Sequence, residues 1–459
     1  MNTFKIKGVV EGFYGRPWTW EERKDIISFM GQEGYNLYIY APKADLLHRD
    51  KWRNMYDSEF EQRFKELIEA GNRSDVEVSM AVSPGLSLVY SDEHDLQILK
   101  EKFLRFTTMG TRTISLFLDD IPEKLIHESD KSNYQSLAHA QADFTNRLFE
   151  TLTHEVEGLQ FILCPTIYHG EQVTDYHYTL GEKLNDQIRI MWTGPQVCSE
   201  KLTVENAKMT EKAFRRKPLY WDNFPVNDAS MVPELHIGRF SGRDGQLEQF
   251  SEGFVVNPMN QAYASMPVLK NIGFYLNDPE QYDPDRAIIN TFKEMYPEIA
   301  QEFLLFSKAC DASPLKPGDP EITIHMIKKL EEFKKKGTLS LMAEFLNKTG
   351  QQVCAAHDKI AGHIDDQLKI DIIPWLAEFN YYGQLMQDMA QALVEIELVY
   401  RDEHPPSQKI EDIHRANTQL ETALEKLAHL KTRVFGKGIR EFALDLLITC
   451  KGLVQLVDW

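Results

Sequence analysis

Two adjacent carboxylates, Asp119 and Asp120, close an apolar run that begins at Thr113. Six residues, mostly branched or aromatic, read as a strand covered on both faces, and the acids stand where that strand ends. A carboxylate pair is costly to desolvate, and mutual repulsion is expected to raise the pKa of at least one member. One raised and one ordinary carboxyl suits acid–base chemistry on a neutral polar substrate. The competing reading is a pair of caps opening the next helix, since Asp is a favoured N-cap. The stretch alone leaves both readings open. Asp365-Asp366, in a polar helix-like stretch, is the natural control and reads as solvated surface.

Other apolar runs end in Lys43, Tyr168, Trp221, Asn223, Asp228 and Asn257. Aromatic walls with neutral and acidic hydrogen-bonding groups suit a sugar, whose faces are apolar and whose rim is hydroxyl. Ordinary retaining glycosidases hold two carboxyl groups about 5 Å apart on opposite sides of the bond. Neighbouring residues, with Cα atoms about 3.8 Å apart, do not flank a sugar that way. Two acids on one side fit instead a substrate that supplies its own nucleophile. Metal-dependent hydrolysis fits poorly: the first run ends in Glu11-Gly12, not His-x-His, and Cys354, His357 and His363 lie in a helical region without supporting carboxylates. No Gly-x-Ser-x-Gly elbow or nucleophilic-cysteine signature occurs. The expectation is an enzyme with no metal and no organic cofactor.

The elements that must position these residues follow from periodicity. Apolar runs recur at residues 4–10, 37–40, 76–82, 113–118, 161–164, 188–192, 218–220 and 254–256, each followed by polar punctuation and most by a helical pattern. Eight strands alternating with helices predict a (β/α)8 barrel over residues 1–280, with the polar clusters gathered on the face where the strands end. A doubly wound sheet is disfavoured because Gly12 and Gly15 do not fit GxGxxG. Beyond a Pro/Asp-rich boundary, residues 281–459 predict an all-α helical bundle, with helices at 287–296, 321–336, 351–368, 375–400, 408–429 and 440–457. Pro297, Gly337, Gly350, Pro374 and Pro405-Pro406 are read as the breaks. Trp375, Leu376, Phe379, Leu385, Met386 and Met389 are its expected core.

The chain of 459 residues carries a formal net charge of −19, which argues against a nucleic-acid partner or an anionic membrane surface. Five scattered cysteines without CxxC spacing read as reduced thiols. The first residues contain no apolar signal region and no run approaches a membrane span, so the expected location is cytoplasmic.

The motifs at the strand ends carry a family likeness. Gly8-Val-Val-Glu-Gly-Phe-Tyr-Gly-Arg-Pro-Trp18, Tyr40-Ala-Pro-Lys43, Ser83-Pro-Gly85, Leu118-Asp-Asp-Ile121, Cys164-Pro-Thr166 with Tyr168, Trp192-Thr-Gly194, Trp221-Asp-Asn223 with Asp228, and Asn257-Pro-Met259 resemble glycoside hydrolase family 84. That family holds O-GlcNAcases and bacterial β-N-acetylglucosaminidases. The resemblance implies a retaining exo-β-N-acetylglucosaminidase in which the substrate's 2-acetamido carbonyl attacks the anomeric carbon to give an oxazoline. It implies that Asp119 orients the acetamide N–H and that Asp120 serves as general acid, then base. Tyr168 would bond the acetamide carbonyl, while Tyr14, Cys164 and Trp221 wall its methyl. The Gly12 carbonyl, Lys43, Asn223, Asp228 and Asn257 would hold the sugar hydroxyls. Ala44 stands where the family usually has a second acid after the lysine, and Asp45 follows it. The helical region is expected to contribute to a homodimer. The alternatives are a catalytically silent GlcNAc-binding barrel and an endo-acting hyaluronidase-type glycosidase; the natural aglycone is left open.

Overall fold

A computed structural model describes residues 3–400 and 407–457. Eight parallel strands close into a barrel in sequence order: β1 Ile6–Glu11, β2 Leu37–Tyr40, β3 Glu77–Val82, β4 Thr113–Phe117, β5 Gln160–Cys164, β6 Arg189–Trp192, β7 Leu219–Asp222 and β8 Gly253–Val256. Gly8 faces Leu37 on one side and Val255 on the other, so β1 joins β2 to β8 and no edge is left.

Alternation along each strand divides its residues between barrel interior and outer helices. Leu37, Ile39 and Ala41 join Val10, Ala81, Phe117, Ile162, Cys164, Met191, Leu219, Trp221 and Val255 in the buried interior. Tyr40, of the opposite parity, stacks on Trp20 and meets Phe60 edge-on among the outer helices. The first outer helix, Trp20–Gln32, opens with a capping box between Thr19 and Glu22 and carries Glu21 and Glu22 in its first turn, where the helix dipole favours acids.

Contacts divide the chain into two units: Met1–Ala229 with Phe240–Ala287, and Ser230–Arg239 with Ile288–Trp459. The second is helical, with elements Pro284–Met295, Ala300–Ala309, Glu321–Lys335, Leu339–His363, Asp366–Tyr400, Ser407–Ala428 and Gly438–Val457, the first of them beginning just before the division. All six expected core residues of the bundle are buried. Two expected breaks are absent. Gly350 lies inside Leu339–His363 because a β-carbon there would stand 2.5 Å from the Gly383 carbonyl; glycine at both positions lets two helices approach closely. Pro374 lies inside Asp366–Tyr400, where proline removes one N–H donor without ending the helix. Ala300–Ala309 is a short helix that was not anticipated, with Phe303 and Phe306 buried. The expected break at Pro405-Pro406 falls outside the described residues. Asp365 is exposed and caps the long helix by accepting the Leu368 N–H at 2.8 Å.

The ten residues Ser230–Arg239 leave the barrel unit between β7 and β8. The Pro233 carbonyl accepts from Trp375 Nε1 at 2.8 Å and from the Arg433 N–H at 2.7 Å, and Glu234 pairs with Arg433. Ser307 Oγ donates to the Ile237 carbonyl at 2.9 Å. Among the described residues no helix is long and apolar enough to cross a membrane.

Candidate active site

All eleven residues singled out from the sequence border one pocket of about 190 Å³ at the carboxyl ends of the strands. Thr193, Val197, Cys198, Val226 and Ala229 complete it. The volume lies below the roughly 300–1,000 Å³ of sites for drug-sized ligands and matches a single small polar molecule.

The loop after β1 supplies Gly12 and Tyr14, and buried Glu11 holds that loop in place. Its carboxylate accepts from the Trp18 N–H at 3.1 Å, from Arg23 at 2.8 and 2.9 Å, and from the Tyr38 hydroxyl. A β-carbon on Gly12 would stand 2.6 Å from the Trp221 ring, so glycine is what lets that ring form the pocket floor. Trp221 Nε1 donates to Asn223 Oδ1 at 2.9 Å, and Asn257 Nδ2 donates to the same oxygen at 3.0 Å. Asn257 Oδ1 in turn accepts the Gly12 N–H at 3.2 Å, which ties the ends of β1, β7 and β8 together. Asp228 Oδ2 accepts the Tyr14 N–H at 2.8 Å, so one carboxylate oxygen already anchors the β1 loop. Burial raises the Asp228 pKa, with that N–H working in the opposite direction.

Asp119 and Asp120 follow Leu118, whose N–H still pairs with the Cys164 carbonyl at 2.8 Å. The next helix, Glu128–Asn133, starts eight residues later behind His127, so the two acids do not cap it. Lys43, from the loop after β2, forms a short ion pair with Asp119 Oδ2 and stands 3.7 Å from Asp120 Oδ2. Asp119 is 5% exposed, and its second oxygen, Oδ1, is buried without a hydrogen-bond partner among the described residues. Asp120 takes the Tyr14 hydroxyl on Oδ2 at 2.7 Å and the Tyr168 hydroxyl on Oδ1 at 3.0 Å. Its φ of 55° is left-handed, uncommon outside glycine.

One electrostatic expectation is corrected here. Repulsion within the pair was expected to raise at least one carboxyl, and the correction concerns Asp120, to which the acid role fell. Burial does push Asp120 upward, but Lys43 and the hydrogen bonds from Tyr14 and Tyr168 outweigh it, and its pKa is lowered. A lysine between two acids reverses what two acids alone would do. The phenols of Tyr14 and Tyr168 are pushed far up by burial and by the neighbouring carboxylates, so both stay protonated as donors. Cys164 belongs to the barrel interior and the pocket wall at once, and burial beside Asp119 raises its thiol well above the ordinary value. That excludes a thiolate nucleophile at neutral pH.

Asp45 does not border the pocket. Its carboxylate accepts from the Leu47 N–H at 2.8 Å and from the Tyr40 and Tyr56 hydroxyls at 2.9 and 2.8 Å. It thereby shapes the turn that aims Lys43 inward, and no acid stands at Ala44 to share the lysine. Arg49 also escaped the sequence reading, although it sits directly behind Asp120; a lone arginine in a polar loop gives no signal of its own. Among the described residues no three His, Cys, Asp or Glu side chains gather to hold a metal ion.

A pocket of this make-up at the strand ends of a closed parallel barrel is that of a glycoside hydrolase. The chain belongs to the β-N-acetylglucosaminidase family, glycoside hydrolase family 84, whose model matches residues 7–308. It is 37% identical over 257 residues to the protein O-GlcNAcases of Rattus norvegicus and Mus musculus, covering 55% of this chain and 28% of each relative. The match thus spans little more than a quarter of those curated relatives. Among solved structures, a mutant O-GlcNAc hydrolase of Thermobaculum terrenum superposes with a TM-score of 0.94 at 33% identity, over 99% of this chain and 97% of that one.

Proposed function

We propose that this chain is a retaining exo-β-N-acetylglucosaminidase that removes terminal β-linked GlcNAc with the help of the substrate's own 2-acetamido group. The observation that carries the reading is Asp119 Oδ1, a buried acceptor without a partner among the described residues on a side chain that borders the pocket, beside an acid that takes two phenolic hydrogen bonds. A buried unsatisfied acceptor calls for a donor, and the acetamide N–H is one. With that N–H bonded to Asp119, the acetamide carbonyl attacks the anomeric carbon from below and an oxazoline forms as the glycosidic C–O bond breaks. Asp120 protonates the departing oxygen, then takes a proton from the water that opens the oxazoline. Lys43 balances the charge of the pair throughout.

Asp120 begins ionised in the free pocket, so binding must deliver its proton. A sugar over Asp120 deepens its burial, and transfer of the Tyr168 hydroxyl to the acetamide carbonyl removes one bond that favours the anion. Both changes raise its pKa. Tyr14, Cys164 and Trp221 enclose the acetyl methyl. The Gly12 carbonyl, Asn223, Asp228 and Asn257 hold hydroxyls, Asp228 through the oxygen not bonded to Tyr14. A pocket closed around one sugar favours exo-action. Protein-borne O-GlcNAc is the proposed substrate, in keeping with the names of the relatives. A cytoplasmic location, a homodimer through the helical unit, and no nucleic-acid or membrane partner complete the proposal. No metal or organic cofactor has a part in it.

The test is release of a fluorophore from its aryl β-GlcNAc glycoside by wild type and Asp120→Ala, with and without EDTA. Turnover that survives EDTA and depends on Asp120 supports the proposal. GlcNAc binding without turnover would make the barrel a recognition module and refute it.

A further inference from the structure

Asp120 is held from behind as well as from the pocket. Arg49 Nη2 donates to the Asp120 backbone carbonyl at 3.3 Å, and the guanidinium carbon lies 5.9 Å from the centre of the Tyr14 ring. Tyr14 is the residue whose hydroxyl meets Asp120 Oδ2 at 2.7 Å. One cation therefore touches both the backbone of Asp120 and the ring that bonds its carboxylate. The backbone contact falls where support is needed, because a non-glycine residue at φ 55° persists only when its surroundings hold it there. The backbone beside Arg49 is well anchored. Its neighbour His48 is buried, bonds the Ala81 carbonyl through Nδ1 at 2.8 Å, and accepts the Ser83 N–H on its own carbonyl at 2.8 Å. Arg49 does not border the pocket, and its Nη1 is buried without a hydrogen-bond partner among the described residues.

We infer that Arg49 is a positioning residue for the general acid: it fixes the left-handed backbone of Asp120 and the Tyr14 ring, so that the Asp120 carboxyl meets the departing oxygen. The inference rests on the assignment of Asp120 as general acid. It also has an electrostatic side, since the Arg49 charge helps to lower the Asp120 pKa. The other groups facing Asp120 are Lys43, Tyr14, Tyr168, Cys164, Asp119 and Asp228, and the substitutions below leave all of them in place.

The experiment compares Arg49→Gln, Arg49→Lys and, as reference, Asp120→Asn. Each is assayed for kcat/KM, and for kcat across pH, which reports the acid in the complex, on two aryl β-GlcNAc glycosides, one with an activated phenol and one with a basic phenol, and each is checked by thermal melting. Arg49→Gln is expected to lose about tenfold or more on the basic phenol and roughly threefold or less on the activated one, a fraction of the 10²–10⁴ available to acid catalysis. Its alkaline limb should move to higher pH, because a lost cation makes Asp120 easier to protonate. Arg49→Lys keeps the charge but not the planar fork, so the limb should stay while the basic phenol still suffers. Equal losses on both phenols with an unmoved limb would make Arg49 merely structural and overturn the inference, as would full activity in both variants. If Asp120→Asn itself loses equally on both phenols, the acid assignment has failed, and the reference variant reveals this independently of Arg49.

Discussion

Lys43, Asp119 and Asp120 form one electrostatic unit, and its charge in the free pocket determines how catalysis must begin. With Asp120 lowered by the lysine and two phenols, binding of a neutral GlcNAc analogue that bonds Tyr168 should draw a proton from solution. Calorimetry between pH 4 and 6, in two buffers of different ionisation enthalpy, should register uptake of about one proton per site, and a buffer-independent heat would contradict it. Under the proposed mechanism Asp119→Asn should reduce kcat/KM by about 10²–10³ with either leaving group, since it would weaken the hold on the nucleophile in every case. Residue types at the strand ends pointed to Lys43, Asp119, Asp120, Tyr168, Trp221, Asn223, Asp228 and Asn257, because acids, amides and rings cluster there after apolar runs, whereas Gly12, Tyr14 and Cys164 came from the family likeness alone. Charge states were less legible. That Lys43 would lie against Asp119, 76 residues away, is a matter of barrel closure, and the sequence does not show that Asp45, next to the missing acid, is taken up by its own turn.

Strands were easier to read than helices. The β-strands are short apolar runs ending in polar, glycine or proline punctuation, whereas a glycine or proline in a helical stretch has two meanings. Gly350 looks like a stop, but what fixes it is the approach of Gly383 from another helix, which no local pattern reveals. Gly350→Ala should therefore destabilise the helical unit by about 1–3 kcal/mol in urea denaturation, as overpacking does. Gly362, in the same helix but with nothing near it, should behave in the opposite way: Gly362→Ala should gain about 0.5–1 kcal/mol from helix propensity. Equal effects at the two positions would mean that the close approach does not govern the packing.

For the molecule as a whole, pH enters stability through a carboxyl of the helical unit. Glu378 is buried in the helical unit, bonded by the Thr432 hydroxyl, and burial lifts its pKa from 4.5 to about 7. The folded chain thus keeps a proton that the unfolded chain releases near pH 4.5. This contribution is complete below pH 4.5, fades as pH rises to about 7, and changes no further. At 1.36 kcal/mol per pKa unit it amounts to up to about 3 kcal/mol. Denaturation of wild type and Glu378→Gln should show the variant gaining relative stability from pH 4.5 to 7; parallel curves would refute the assignment. A second property follows from the ten residues Ser230–Arg239, which sit inside the barrel's stretch of chain yet belong to the helical unit. The chain passes between units three times, after Ala229, after Arg239 and after Ala287. A gene carrying such a protein cannot trade its barrel for another by one recombination event, because any single breakpoint strands part of one unit with the other. A clean exchange of the barrel therefore takes breakpoints at all three crossings.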